Sequence, residues 1–107
     1  MRPVMHGDIV AAARVLYDAP QAARPLILDR LLSQAERADI YRRSEGAIHP
    51  FWGDGSLMAV ALRKRPPPEP PLEDTEYCAC LAQVFDALVN RVRKSRRLGL
   101  LGRAQGA

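Results

Sequence analysis

A chain of 107 residues fits one small domain, and its 48% hydrophobic and 26% charged residues are ordinary for a globular protein. No run approaches the roughly 18 apolar residues of a membrane span, and Met1-Arg2-Pro3-Val4 leads into His6, Gly7 and Asp8 rather than an apolar leader. The net charge of +4 is unevenly divided: residues 1 to 86 hold ten Lys and Arg against all twelve Asp and Glu, a net of −2, whereas residues 87 to 107 hold six cations and no acid.

Ala, Leu and Arg dominate and aromatic residues are few, which favours helix over sheet. In "GDIVAAARVLYDAP", Asp8 is a suitable N-cap. Ile9, Ala12, Ala13 and Leu16 share a face, and Pro20 ends the segment, so a first helix is predicted over about 9–17. Pro20 suits a first turn, and Pro25 forces either a kink or a restart of the helix there. Leu28, Leu31, Leu32, Ala35 and Ala38 recur at spacings of three and four, and Tyr41 and Arg42 extend the face. Gly46 suits the C′ position, which places this second helix at about 25–44.

"HPFWGDGSLM", residues 49 to 58, gathers the only Trp and one of the two His around a Gly-Asp-Gly turn. His49-Pro50 is not helix interior. Ser56 caps a short third helix predicted over about 57–64. "RPPPEPPLED" contains five of the nine prolines and reads as a stiff extended connector over 65–73. Asp74 or Thr75 caps a last helix over about 75–94, with Tyr77, Leu81, Val84, Phe85, Leu88 and Val92 as its apolar stripe. Three glycines in 95–107 suggest a separate, flexible basic tail. The expected fold is therefore all-α: a small bundle of about four helices in one domain, 1–94, with a proline-rich connector and a basic tail. A monomer of this size buries little, so a homo-oligomer is expected.

No constellation for catalysis stands out. There is no G-x-S-x-G, H-E-x-x-H or G-x-x-x-x-G-K, and His6, His49, Asp54, Cys78 and Cys80 match no zinc spacing. The reading is a non-enzyme with no catalytic residue, metal or cofactor. Cys78 and Cys80 point about 200° apart on a helix, with Glu73, Asp74 and Glu76 close by in sequence, and read as inert, reduced thiols of a cytoplasmic protein. Phe51 and Trp52 have two readings. They plug the gap between the second and last helices, or one of them is an exposed partner anchor.

The sharpest feature is "NRVRKSRRLGLLGR". Arg91, Arg93, Lys94, Arg96, Arg97 and Arg103 suit several phosphates in salt-sensitive, sequence-independent binding. The same cations also suit an acidic protein partner, with Leu98, Leu100 and Leu101 interleaved. A solvated helix C-terminus complementing its dipole accounts for two or three charges, though not six.

"MRPVMHGDIVAAARVL", "RLLSQAERADIYRR", "HPFWGDGSLMAVAL" and "YCACLAQVFDALV" resemble a small alphaproteobacterial family over about residues 1 to 90. That family is similar to the small terminase subunit of phage-like gene transfer agents. The resemblance implies a helical, non-enzymatic, oligomeric adaptor that presents DNA to a large terminase motor. It also implies an oligomerising hairpin of the second and last helices, and a basic tail touching DNA or the motor. Many phage small terminases carry an N-terminal helix-turn-helix. Here the stretch from Gly46 to Ser56 is too long for its tight turn, which fits packaging with little sequence preference. The alternative is a small regulatory or assembly protein that acts through protein contacts without DNA.

Overall fold

Met5, rather than Asp8, is the N-cap of the first helix, α1 (His6–Tyr17). Asp8 sits three positions further on, where its carboxylate reaches back to accept the Met5 N–H at 2.7 Å. A short acidic side chain fits either position. The reach to Met5 adds three residues to the predicted helix.

The remaining elements of the computed structural model are a 3₁₀ turn (Gln21–Ala23), α2 (Arg24–Glu45), α3 (Leu57–Leu62) and α4 (Thr75–Gly106). The structure describes the backbone of residues 1–106 and the side chains of residues 1–99. The fold is all-helical, a small bundle, with no strand among the described residues; one isolated antiparallel bridge joins His49 to Gly53. Pro25 lies in the first turn of α2, where its missing N–H costs nothing. Gly46 closes α2 at φ +68°, donating its N–H to the Arg42 carbonyl. Ser56 caps α3, its Oγ accepting the Ala59 N–H at 3.1 Å. Asp74 does the same for α4 by accepting from Glu76 and Tyr77. The third helix ends at Leu62, two residues short of the predicted end.

α1 is the centre of the bundle. Ile9, Ala11, Ala12, Ala13, Val15 and Leu16 are all buried, with α3 and α4 packed against them. The alanines hold neighbouring backbones close, and the larger chains supply roughly 1.5–3 kcal/mol each on burial. α2 adds Leu28, Leu31, Leu32, Ala35 and Ala38; α4 adds Tyr77, Cys80 and Val84. α4 lies chiefly on α1, and its contact with α2 is thin. The hairpin of the second and last helices implied by the resemblance is therefore not the packing within one chain. A groove of about 390 Å³ separates them, lined by Leu28, Leu32 and Ala87 together with Asp29, Asp86, Arg91 and Lys94.

The proline connector is extended and pinned. Arg14 donates from Nε to the Pro67 carbonyl at 2.7 Å, and the Tyr77 hydroxyl donates to Glu69 at 2.6 Å.

α4 departs furthest from expectation. It runs 32 residues, so the boundary expected at residue 94 is absent and the backbone of the basic segment is helical to Gly106. Each interior glycine costs about 1 kcal/mol relative to alanine, but the surrounding Leu, Arg, Gln and Ala are good helix formers. At 1.5 Å per residue the helix is about 48 Å long, nearly the 51 Å longest dimension of the molecule.

Candidate functional site

The loop from His49 to Ser56 is organised by one imidazole. His49 Nδ1 accepts the N–H groups of both Phe51 and Trp52 at 3.1 Å, so the proton of the neutral ring resides on Nε2. The ring stacks on Trp52 with centroids 4.6 Å apart and meets Tyr41 of α2 edge-on at 5.0 Å. Gly53 and Gly55 turn the chain at φ +82° and +94°. Asp54 pairs with Arg2 at 2.9 Å and accepts the Ser56 N–H. Hydrogen bonding to Ser56 first, and Arg2 second, hold the Asp54 carboxyl below the usual range.

The two aromatic side chains part here. Trp52 is half-buried against the core, beside Gln34 of α2, Val60 of α3 and Arg63 just after that helix. Phe51 is 68% exposed. The expected plug between α2 and α4 is corrected accordingly: Trp52 seals the side where α2 meets α3, and Phe51 faces out. The two rings are divided within one tight turn closed by His49. Among the described residues no group of three or more His, Cys, Asp or Glu is placed to hold a metal ion. Cys80 is buried, which pushes its thiol up, and Cys78 donates to the Leu72 carbonyl.

Of three buried charged side chains, the sequence singles out only Asp8, as a cap, and gives no signal for Arg24 or Asp39. Arg24, 5% exposed, donates from Nε to the Leu16 and Ala19 carbonyls and from Nη2 to the Tyr17 carbonyl and Glu76. It ties the end of α1 to the starts of α2 and α4. Asp8 accepts the Met58 N–H at 2.8 Å as well as that of Met5, joining the first turns of α1 and α3. Asp39 meets the Met1 amine at 3.1 Å, Arg42 at 3.0 Å and Arg43 at 3.4 Å. Burial alone would raise the Asp39 carboxyl, but these cations more than offset it and leave it low. All three side chains satisfy backbone ends or neutralise neighbours, so each is structural.

The basic half of α4 is the remaining candidate. Arg93, Lys94, Arg96 and Arg97 are exposed, whereas Arg91 is half-buried and reaches Glu36 at 3.5 Å. The side chains of Leu100, Leu101 and Arg103 lie outside the described residues. On the predicted stripe, Tyr77 and Val84 are buried and Leu81 and Leu88 half-buried, but Phe85 and Val92 face solvent. Among the described residues no helix is long and apolar enough to cross a membrane.

A family model described as a domain of unknown function, DUF7742, matches residues 2–88, covering the bundle and ending where the basic half of α4 begins. No curated protein and no solved structure matches the chain.

Proposed function

The chain belongs to the DUF7742 family, and we propose that it is a non-enzymatic, oligomeric adaptor in DNA packaging, of the small-terminase kind, acting in the cytoplasm. Its basic helix binds DNA weakly and without sequence preference while the bundle engages a large terminase-like motor. The observation that supports this reading is the second half of α4. From Arg91 to Gly106 the helix carries six cations and no acid, and Arg93, Lys94, Arg96 and Arg97 stand free of the core. A helix crowded with exposed cations complements a phosphate backbone in charge. It has no aromatic interleaved to stack on bases, so recognition rests on charge.

Gel-shift or anisotropy across a salt series tests this. Intact protein should bind duplex DNA with a log–log salt slope of about −4 when four phosphates are neutralised, and a truncation after Val89 should lose binding. Equal binding by both would overturn the DNA part. A second reading, a regulatory or assembly protein working through protein contacts, is favoured by the exposure of both Phe51 and Ile48. Loss of a protein partner in Phe51→Ala, with DNA binding unchanged, would decide for it.

A further inference from the structure

α4 carries two apolar stripes. One faces α1: Tyr77, Cys80 and Val84. The other is Ala82, Phe85, Val89 and Val92, with Arg96 next in line, at successive spacings of three, four, three and four. That alternation is the seam of a two-helix coiled coil. Among the described residues nothing covers it: Phe85, Val89 and Val92 are 49%, 45% and 48% exposed. Midway along it lies a hollow of about 290 Å³ bounded by Leu88, Val89, Val92, Arg93 and Arg96. A hollow framed by side chains of adjacent turns is the kind of hole that receives a knob from a facing helix.

The charge along α4 identifies the facing helix. Residues 75 to 90 contain Glu76 and Asp86 and no cation; residues 91 to 106 contain six cations and no acid. Parallel pairing of two copies would set cation against cation. Antiparallel pairing sets the acidic half of each helix against the basic half of the other, in a self-complementary two-fold contact. Asp86 and Arg93 are both exposed and lie seven residues apart on one flank of the seam.

We infer that two copies of this chain dimerise through antiparallel α4 helices. Val89 packs on Val92 of the second copy, Phe85 lies along the stem of Arg96, and Asp86 pairs with Arg93. Lys94 and Arg97 stay clear of the seam, so each chain keeps two of its four exposed cations for phosphate, four per dimer. The inference rests on the oligomeric part of the proposed function and not on its DNA part.

The test uses full-length protein without DNA, in light scattering and sedimentation across a concentration series. The intact chain should show twice the monomer mass. Asp86→Arg and Arg93→Asp should each weaken self-association about tenfold or more by placing like charges across the contact, with helical content unchanged by circular dichroism. Mixing the two variants in equal amounts should restore a tight dimer, because each then offers what the other lacks. A monomer at all concentrations, single variants that associate as tightly as the intact chain, or no recovery on mixing would each overturn the inference. DNA titration of the same samples separates the readings: dimerisation with no DNA binding sinks only the DNA proposal.

Discussion

Arg24 and Glu76 meet at 2.5 Å across the junction of three helices, with the guanidinium buried and the carboxylate largely exposed. The two ends of this pair have unequal importance. Arg24 also donates to the carbonyls of Leu16, Tyr17 and Ala19 around the C-terminus of α1, where intrahelical donors run out. Arg24→Met should therefore destabilise the protein by about 2–4 kcal/mol, since it orphans buried acceptors. Thermal unfolding should show a drop of about 10 °C or more. Glu76→Gln removes only the solvent-facing end and should cost less than about 1 kcal/mol. Equal losses in the two variants would show that the pair, not the capping, holds the junction.

His49 and Phe51 define the second prediction. His49 Nδ1 accepts two backbone N–H groups and its ring covers Trp52. His49→Ala should cost about 1–3 kcal/mol in urea unfolding, whereas His49→Asn, with an acceptor at a similar reach, should recover part of it. Phe51→Ala should fall within about 0.5 kcal/mol of the parent, and Trp52→Ala should cost about 2 kcal/mol or more for the cavity it leaves. A large loss in Phe51→Ala would place that ring in the core instead of at a partner-facing tip.

The features that were legible in the sequence depend on local stereochemistry. Pro25, Gly46, Ser56 and Asp74 each sit where their own dihedral or hydrogen-bonding habits place them. The periodic leucines of α2 likewise report their own burial. What was hidden depends on tertiary partners. Arg24 is one arginine among many until the carbonyls of α1 converge on it. Asp8 fits two capping positions, and Met58 is 50 residues away. On α4 the buried and exposed stripes merge into one broad apolar arc in sequence, and only the position of α1 divides them. The glycines near the end of α4 read as a break because their individual cost is visible and the favourable neighbours are diffuse.

Acid should destabilise the bundle through specific carboxylates. The Tyr17 hydroxyl, foremost, and the Tyr77 N–H hold Asp74 below its ordinary value of 3.8; Ser56 and then Arg2 do so for Asp54. A carboxyl depressed in the folded state contributes stability that is complete above its unfolded-state value and is lost as pH falls through the lower folded value. Urea midpoints should therefore hold steady from pH 7 to about 5 and decline below about 4. Asp54→Asn and Asp74→Asn should each lower stability at neutral pH and flatten that decline. A decline as steep in the double variant would assign the acid sensitivity elsewhere.

Gly55 and Gly46 both have positive φ, at +94° and +68°, but they should respond differently to substitution. A Cβ at Gly46 meets nothing within 4 Å, so Gly46→Ala bears only the left-handed backbone cost of about 1–2 kcal/mol, and Gly46→Asn less. A Cβ at Gly55 would lie 2.7 Å from both Cα and Cβ of Asp39. Those atoms are fixed by the backbone of α2 and cannot swing aside as the end of a side chain would. Gly55→Ala must part the loop from α2 and disturb Asp39 and its cations, so its loss should exceed that of Gly46→Ala by about 2 kcal/mol or more. Amide exchange should also report the difference. Gly46→Ala should loosen only the last turn of α2, whereas Gly55→Ala should loosen the 49–56 loop and the start of α3. Equal losses at the two sites would mean that the loop does not rest on Asp39, and that Trp52 and His49 alone hold it in place.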